Sequence, residues 1–528
     1  MKFCGGCNPK YDRRKTVELI EQRLNADIKY SEPNRGDICL LVSGCERACL
    51  KKPEWGQLIS VNQFTTIDSI IDLIQTWGEE MEDFKDIYKE KYVTASEAVK
   101  HIKDGDRVVI GHACGEPRAL TGALCERAHN LKDVETIHMI GVGESNYCKE
   151  EMEGHIRHNS LFVGNKNERL AVKDGRCDFT PRYFSKIPAL FTNGPLPPDV
   201  ALVQVSRPDA HGYVSFGVSV DYSMTAAKQA KLRIAQINQY MPRCHGECFM
   251  HLDEFDYLVE EDIPLIELPK SELTDVEKEI GRHCASLIQD GATLQLGIGA
   301  LPDAVLLSLK NKKDLGIHSE MFSDGVVELV EAGVITNKKK TLHPGKLVAT
   351  FIMGTRKLYD YIDDNPNVYM APADYTNNPY VIARNDNLVS INSCIEVDFM
   401  GQVSAESIGP LQISGVGGQV DFVRGANMSK GGISIIAMTS TAKGGTVSKI
   451  VPSLEQGAAV TTGRNDVAYI VTEYGIADLR GKSLRERAKL LINIAHPDFR
   501  EEFIEIWENR FHEEWEREER REKVTIIA

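Results

Sequence analysis

The chain has 528 residues, 42% hydrophobic and 26% charged, with a formal net charge of -15. That length corresponds to about three domains with ample buried cores, and the composition is that of an ordinary soluble globular protein. The acidic balance excludes a general nucleic-acid binder, because phosphate contacts need a basic surface. No apolar run reaches the ~20 residues of a membrane span, and the N-terminus lacks the apolar core of a signal peptide. Thirteen cysteines without a secretory signal fit reduced thiols, so a cytoplasmic protein is expected.

Residues 1–92 stand apart. They carry Cys4, Cys7, Cys39, Cys45 and Cys49, and the two-residue spacing of Cys4 and Cys7 lets both thiolates grip one metal or form one redox pair. A metal or cluster on these five cysteines is one expectation; reduced thiols in a small domain are the other, since the spacing matches no zinc or ferredoxin pattern. Residues 13–28 read as a helix, and residues 67–89 as a charged amphipathic helix and a mobile link.

From residue 93 the pattern becomes α/β. A capping box, Thr94 to Glu97, opens a helix that ends at Asp104-Gly105, and a buried strand over 107–110 runs into Gly111. A helix over 119–128 follows that strand, and further strands are expected over 136–142, 200–205 and 232–237. Near-continuous apolar strands alternating with helices indicate parallel sheets covered on both faces. The device recurs: a capping box at Thr274 to Glu277, a helix ending at Asp290-Gly291, and a strand over 293–296 into Gly297. In both places the second glycine follows the first by six residues, and a proline, Pro117 or Pro302, leads the next helix. This weak repeat implies two α/β halves of similar wiring. Strands over 347–352, 433–438 and 468–471 belong to the second half. The tail from 499 to about 523 places Trp507, Phe511 and Trp515 at helical spacing, as an amphipathic helix on the body or on a partner.

Ligands bind at the carboxyl ends of strands in open α/β sheets, and the polar and glycine-rich stretches at 206–212, 238–242, 297–299, 318–325 and 414–422 fall at such ends. Glu320, an acid where an apolar strand breaks into a loop, pairs with the Gly297-Ile298-Gly299 turn as a nucleophile with backbone amides for an oxyanion. Read singly, each is as well a solvated acid and a tight turn. Gly415 to Gly418 lacks the dinucleotide fingerprint. Lys443 could meet a phosphate. His211, His245 and His318 are scattered and form no metal triad, and no nucleophile elbow is present.

The joint occurrence of Leu-Gly-Ile-Gly-Ala-Leu-Pro at 296–302, His-Ser-Glu-Met-Phe-Ser-Asp-Gly at 318–325 and Ser-Gly-Val-Gly-Gly-Gln-Val-Asp-Phe at 414–422 resembles the acetyl-CoA hydrolase/transferase family. The stretches at 198–206, 375–379, 391–398 and 471–482 match as well, and within the family the chain looks most like 4-hydroxybutyrate and butyrate:acetate CoA-transferases. The resemblance implies an α/β fold with two open parallel-sheet CoA-transferase domains, residues 93–272 and 273–528; residues 1–92, read from their cysteines as a small N-terminal domain preceding them, lie outside it. It also implies a homodimer, with the active site between the two α/β domains. Glu320 matches the catalytic glutamate, which forms a glutamyl-CoA thioester. Gly297, Ile298, Gly299, Ala300 and Leu301 match the CoA-binding and oxyanion loop. Asn392, Gly415, Gly418 and Lys443 fall where relatives approach coenzyme A, and Gln236 and Asn238 fall in a loop facing the acyl group. The implied substrates are an acyl-CoA and a short-chain carboxylate, with no cofactor required. The Cys244-His245 pair looks unusual beside relatives. An acyl-CoA hydrolase using the same glutamate, and a CoA-binding redox or metal sensor without turnover, are the rival readings.

Overall fold

A computed structural model describes residues 2–3, 38–42, 57–61 and 84–515. The chain divides into two compact units, Met1–Lys89 and Glu90–Ala528. In the first, strands β1 (Lys2–Phe3), β2 (Ile38–Val42) and β3 (Gln57–Val61) form a parallel sheet in the order β1-β2-β3. A short helix, Phe84–Ile87, falls within the stretch expected as a helix and a link over 67–89, of which residues 67–83 lie outside those described, as does the helix expected over 13–28. Cys39 lies on β2. Cys4, Cys7, Cys45 and Cys49 also lie outside the described residues.

The second unit is built on two sheets. The first holds β4 (Arg107–Ile110), β5 (Val134–Met139), β6 (Ile156–Phe162), β7 (Asp178–Phe179), β8 (Val200–Val205), β9 (Leu232–Ile237) and β10 (Tyr257–Glu260), in the order β10-β9-β8-β4-β5-β6-β7 and parallel throughout. Every residue of β8 is buried, as a central strand covered on both faces must be. Ala98, Leu120, Leu124 and Ala171 pack with Val108, Ile110 and Leu202 in the core of this half.

The second sheet holds β11 (Thr293–Leu296), β12 (Gly316–Ile317), β13 (Leu388–Ser393), β14 (Ile433–Ala437), β15 (Tyr469–Thr472) and β16 (Gly475–Asp478), in the order β12-β11-β13-β14-β15-β16. It departs from the all-parallel expectation at one edge, where β15 and β16 form an antiparallel hairpin. The strand expected over 347–352 is shorter and stands apart: Leu347–Ala349 pairs with Val368–Met370 in a two-stranded sheet. Residues 350–352 instead give their backbone groups to neighbouring segments. Strand 136–142 is also displaced, to Val134–Met139, because the chain turns out at Ile140, which adopts φ 49.

The two sheets share a wiring. In each, the first strand, β4 or β11, pairs with the next in sequence on one side and with a later strand on the other. Both capping boxes form as expected, at Thr94 and Thr274. Pro117 is the N-cap of helix Arg118–Arg127, but Pro302 is the third residue of helix Ala300–Ser308, which Gly299 opens. The tail helix, Pro497–Phe511, lies on the body of the second half. Trp507 is fully buried, packs with Leu491 and Ala488, and donates its indole N–H to the Arg485 carbonyl at 3.0 Å.

Candidate active site

Glu320 follows β12 by three residues, and its neighbours fix it from both sides. Ser319 Oγ donates to the Leu296 carbonyl at 3.0 Å and accepts from the Leu296 amide at 3.3 Å, so the segment is tied to the end of β11. The Glu320 carbonyl accepts from the Thr350 and Phe351 amides at 3.0 and 3.2 Å. His318 Nε2 lies 2.9 Å from the Thr376 carbonyl, to which it can only donate. Burial pushes the His318 imidazole down to about 3, so it is neutral and Nε2 carries the proton.

That histidine brings the turn at Thr376 to the acid. The next residue, Asn377, donates its Nδ2 to Glu320 Oε2 at 2.6 Å. On the other side stands Gly418, the N-cap of helix Gln419–Met428. A Cβ there would overlap Glu320 Oε2 and Asn377 Nδ2, so only glycine lets the backbone come this close. The helix N-terminus favours negative charge at this point. Burial nevertheless dominates: it raises the Glu320 carboxyl to about 8, the charges of Asp421 and Asp221 push the same way, and the hydrogen bonds from Asn377 and Gly418 oppose them.

The glycine loop is seamed to the first half of the unit. The Phe184 amide donates to the Gly417 carbonyl at 3.0 Å, and Ser185 donates its amide and hydroxyl to Asp421 at 3.0 and 2.8 Å. Gly415 packs against Phe162 and the Leu161 carbonyl. A second seam joins Val218 and Val220 to Ile352 and Thr350 through backbone bonds of 2.8 and 3.1 Å. Behind it, the buried Asp221 carboxylate faces His112 Nδ1 at 3.0 Å and accepts from Ser223 Oγ at 3.1 Å.

Residues 297–301 sit at the end of β11. Gly297 and Gly299 have open space where a side chain would be, Gly299 has φ 102, and Ile298 is 40% exposed. Ala300 and Leu301 begin helix Ala300–Ser308. A cavity of about 220 Å³ opens beside Ile298 and Gly299, against Leu268 and Met353. Asn392, at the end of β13, exchanges amide hydrogen bonds of 3.1 and 3.2 Å with Gln295 on β11. Lys443 is exposed in a turn with φ 49.

Gln236 and Asn238 are fully buried. Gln236 Oε1 accepts from the Ala119 amide at 3.0 Å, and its Nε2 donates to Gln204 Oε1 and the Glu261 carbonyl at 3.4 and 3.3 Å. Asn238 Nδ2 donates to Gln204 Oε1 and the Ile263 carbonyl at 2.7 and 2.6 Å. Their amides are spent on the frame, fastening the segment that links the halves. Cys244 is buried and His245 faces Asp364 at 3.0 Å. Among the described residues no group of three or more His, Cys, Asp or Glu is arranged to hold a metal ion.

Sequence reasoning named Glu320 and Gly418 but passed over Asn377, Asp421, Asp221, Ser185 and His112. Asn377 and Asp421 lie in stretches, 375–379 and 414–422, that the resemblance had already picked out; the other three are polar residues whose meaning comes only from contact.

The descriptions of known families fit this geometry. The acetyl-CoA hydrolase/transferase N-terminal domain matches residues 79–267 and the C-terminal domain residues 354–506, while an uncharacterised family matches residues 1–78. The chain is 61% identical over 429 residues to the 4-hydroxybutyrate coenzyme A transferase of Clostridium kluyveri, covering 81% of this chain and 100% of that one. It is 40% identical to the butyryl-CoA:acetate CoA-transferase of Anaerostipes caccae, covering 80% of this chain and 96% of that one. A solved 4-hydroxybutyrate CoA-transferase from Porphyromonas gingivalis superposes with a TM-score of 0.71 at 44% identity, covering 81% of this chain and 100% of that one. An identity this high across the whole length of the Clostridium enzyme leaves one assignment: the chain belongs to the acetyl-CoA hydrolase/transferase family.

Proposed function

We propose that this protein is a CoA-transferase that moves coenzyme A between a short-chain acyl-CoA and a carboxylate such as acetate, butyrate or 4-hydroxybutyrate, with Glu320 as its nucleophile. The observation that carries the assignment of Glu320 is its carboxylate, held between the Asn377 amide at 2.6 Å and the backbone of Gly418. The Glu320 carboxylate attacks the thioester carbonyl and expels CoA thiolate, leaving a mixed anhydride. The thiolate then attacks the glutamyl carbonyl, releasing the first carboxylate and forming a glutamyl-CoA thioester. An incoming carboxylate attacks that carbonyl and expels the thiolate, which takes the new acyl group and frees Glu320. Each half-reaction returns what it borrows, so kinetics are ping-pong.

Asn377 and the Gly418 amide, which bind the resting carboxylate, become donors to the oxyanion that develops on the glutamyl carbonyl. Gly297 to Leu301 supply amides toward the thioester, and Asn392, Gly415 and Lys443 belong to the CoA side. Gln236 and Asn238 act on the acyl side through the segment they fasten. Residues 93–272 and 273–528 are the two catalytic domains, with residues 1–92 appended. The enzyme works as a homodimer in the cytoplasm, with CoA as substrate and no resident cofactor in the reaction.

The test is mass spectrometry after incubation with acetyl-CoA and no acceptor acid. A CoA adduct on the peptide containing Glu320, absent in Glu320→Ala, is the expected result. Steady CoA release without adduct would make the protein a hydrolase. Neither adduct nor release with any of a panel of short acyl-CoAs would leave a protein that binds without turnover.

A further inference from the structure

Among the described residues Lys340 is the one buried lysine, 4% exposed, and no carboxylate there stands as its counter-charge. Taking an ammonium out of water without an opposite charge is costly, and nothing above gives this residue a role.

Its Nζ donates to the Ile317 carbonyl at 2.6 Å and to the Lys346 carbonyl at 2.7 Å. Both acceptors lead to Glu320. Ile317 ends β12, three residues before the acid. Lys346 precedes the strand Leu347–Ala349, and the next two residues, Thr350 and Phe351, donate their amides to the Glu320 carbonyl. One side chain thus ties the segment that carries the carboxylate to the segment that grips it. The sequence makes room for this side chain, since a Cβ at Gly316 would stand 2.5 Å from Lys340 Cγ. Asn337 completes the clamp, its Oδ1 accepting from the Ile317 amide at 2.9 Å.

The amine also acts on two histidines that hold the turn of residues 375–377. His318 Nε2 donates to the Thr376 carbonyl, and His343 Nε2 lies 2.6 Å from the Tyr375 hydroxyl. His343 is stacked on Tyr369, with ring centres 4.6 Å apart. His318 Nδ1 is buried without a hydrogen-bond partner among the described residues, so a second proton on that ring would find no acceptor. Burial lowers both imidazoles first, and the Lys340 charge lowers them further. At His343, Arg384 and Lys346 act in the same direction and Glu247 against it. Burial pushes the lysine itself down to about 7, and its two acceptors match the two N–H bonds that an uncharged amine keeps.

Resting on Glu320 as the nucleophile, we infer that Lys340 is a positioning residue for the reaction. It locks the segment that bears Glu320 and, through His318 and His343, the turn that presents Asn377 to the carboxylate.

The test couples two deletions in the full-length protein. Turnover of butyryl-CoA with acetate is measured for Lys340→Met, Asn377→Ala and the double variant. The expected result is a kcat about 10- to 100-fold lower in Lys340→Met, with KM within about twofold. The loss in the double variant falls short of the product of the two single losses by about threefold or more. Losses that multiply, or a Lys340→Met kcat within about twofold of the wild type, overturn the proposal. Should Lys340→Met not fold, Gly316→Ala, which keeps the amine and crowds its stem, replaces it in the same cycle under the same criteria. Histidine NMR reads the electrostatic part without turnover: His343 titrates at higher pH once the Lys340 charge is gone, and an unmoved His343 overturns that part. A wild-type protein with neither turnover nor adduct would strike the reading of Glu320 as nucleophile, while the His343 titration still decides whether Lys340 governs the turn.

Discussion

The two α/β halves are wired alike but end differently at their strand tips. In the first half, the polar residues at the ends of β8 and β9 bond to one another: Gln204, Gln236 and Asn238 form one fully buried amide cluster. In the second, the end of β11 carries Gly297 and Gly299 facing open space, and Glu320 stands beside a backbone made accessible by Gly418. A repeated architecture has thus been divided into a frame and an open edge, the one proposed above to be reactive. Side-chain satisfaction separates them: amides that find partners inside the fold hold it together, and groups left facing space are free for substrate.

The largest effect expected is on the reactive edge. Glu320→Ala abolishes the CoA adduct and lowers transferase turnover by about 10⁴-fold or more, as loss of a covalent nucleophile does, measured by steady-state assay at saturating acyl-CoA. Gly418→Ala comes next. Its Cβ has no room beside Glu320 and Asn377, so the acid shifts and kcat/KM falls about 100-fold, with thermal stability close to that of the parent. A variant with unchanged kcat/KM would show that the close approach is not used.

The frame should break in another way. Gln236→Ala or Asn238→Ala leaves buried partners unmet and costs about 1–3 kcal/mol of stability, seen as a lower denaturation midpoint. The adduct on Glu320 should still form. Should either variant instead keep its midpoint and lose selectivity among acids, the amide cluster would belong to the substrate and the contrast would fail.

A subtler probe is pH. The Glu320 carboxyl is raised to about 8, so the reactive anion is gained as pH rises, and kcat/KM climbs through about pH 8 in the free enzyme. The linkage has the opposite sign for stability: with the folded value above the ordinary 4.5, this group favours the folded state at low pH and loses that contribution as pH rises from about 4.5 toward 8. Asp421→Asn removes one of the charges that raise it, so the ascending limb should move down by about half a unit. The smallest effect belongs to Lys443→Ala. This lysine is exposed, and a solvated pair contributes up to about 1 kcal/mol, so the KM for acyl-CoA rises by no more than about fivefold.

Much of this was legible in the sequence. The strands over 107–110 and 293–296 came from apolar runs ending at a glycine, those over 200–205 and 232–237 from runs ending at a polar residue, and both capping boxes from their own residues, because those signals are local. The hairpin of β15 and β16 and the isolated pairing of Leu347–Ala349 were not, since a short apolar run says nothing about which neighbour it joins. Glu320 was named from its place at a strand break, a pattern that suits a solvated loop acid as well, and the match of several loops in order is what made it the expected nucleophile.

The sequence by itself determined the α/β class, the two-half organisation, the family and the acid to watch. These depend on periodicity and on short motifs, which survive as text. The tertiary structure alone decided that His318 delivers Asn377 to that acid, that Ser185 and Asp421 seam the two halves beside it, and that Gln236 and Asn238 are occupied within the frame. Those contacts join residues far apart in the chain, and their energies come from burial and from distances of a few ångströms, neither of which is written in the order of the residues.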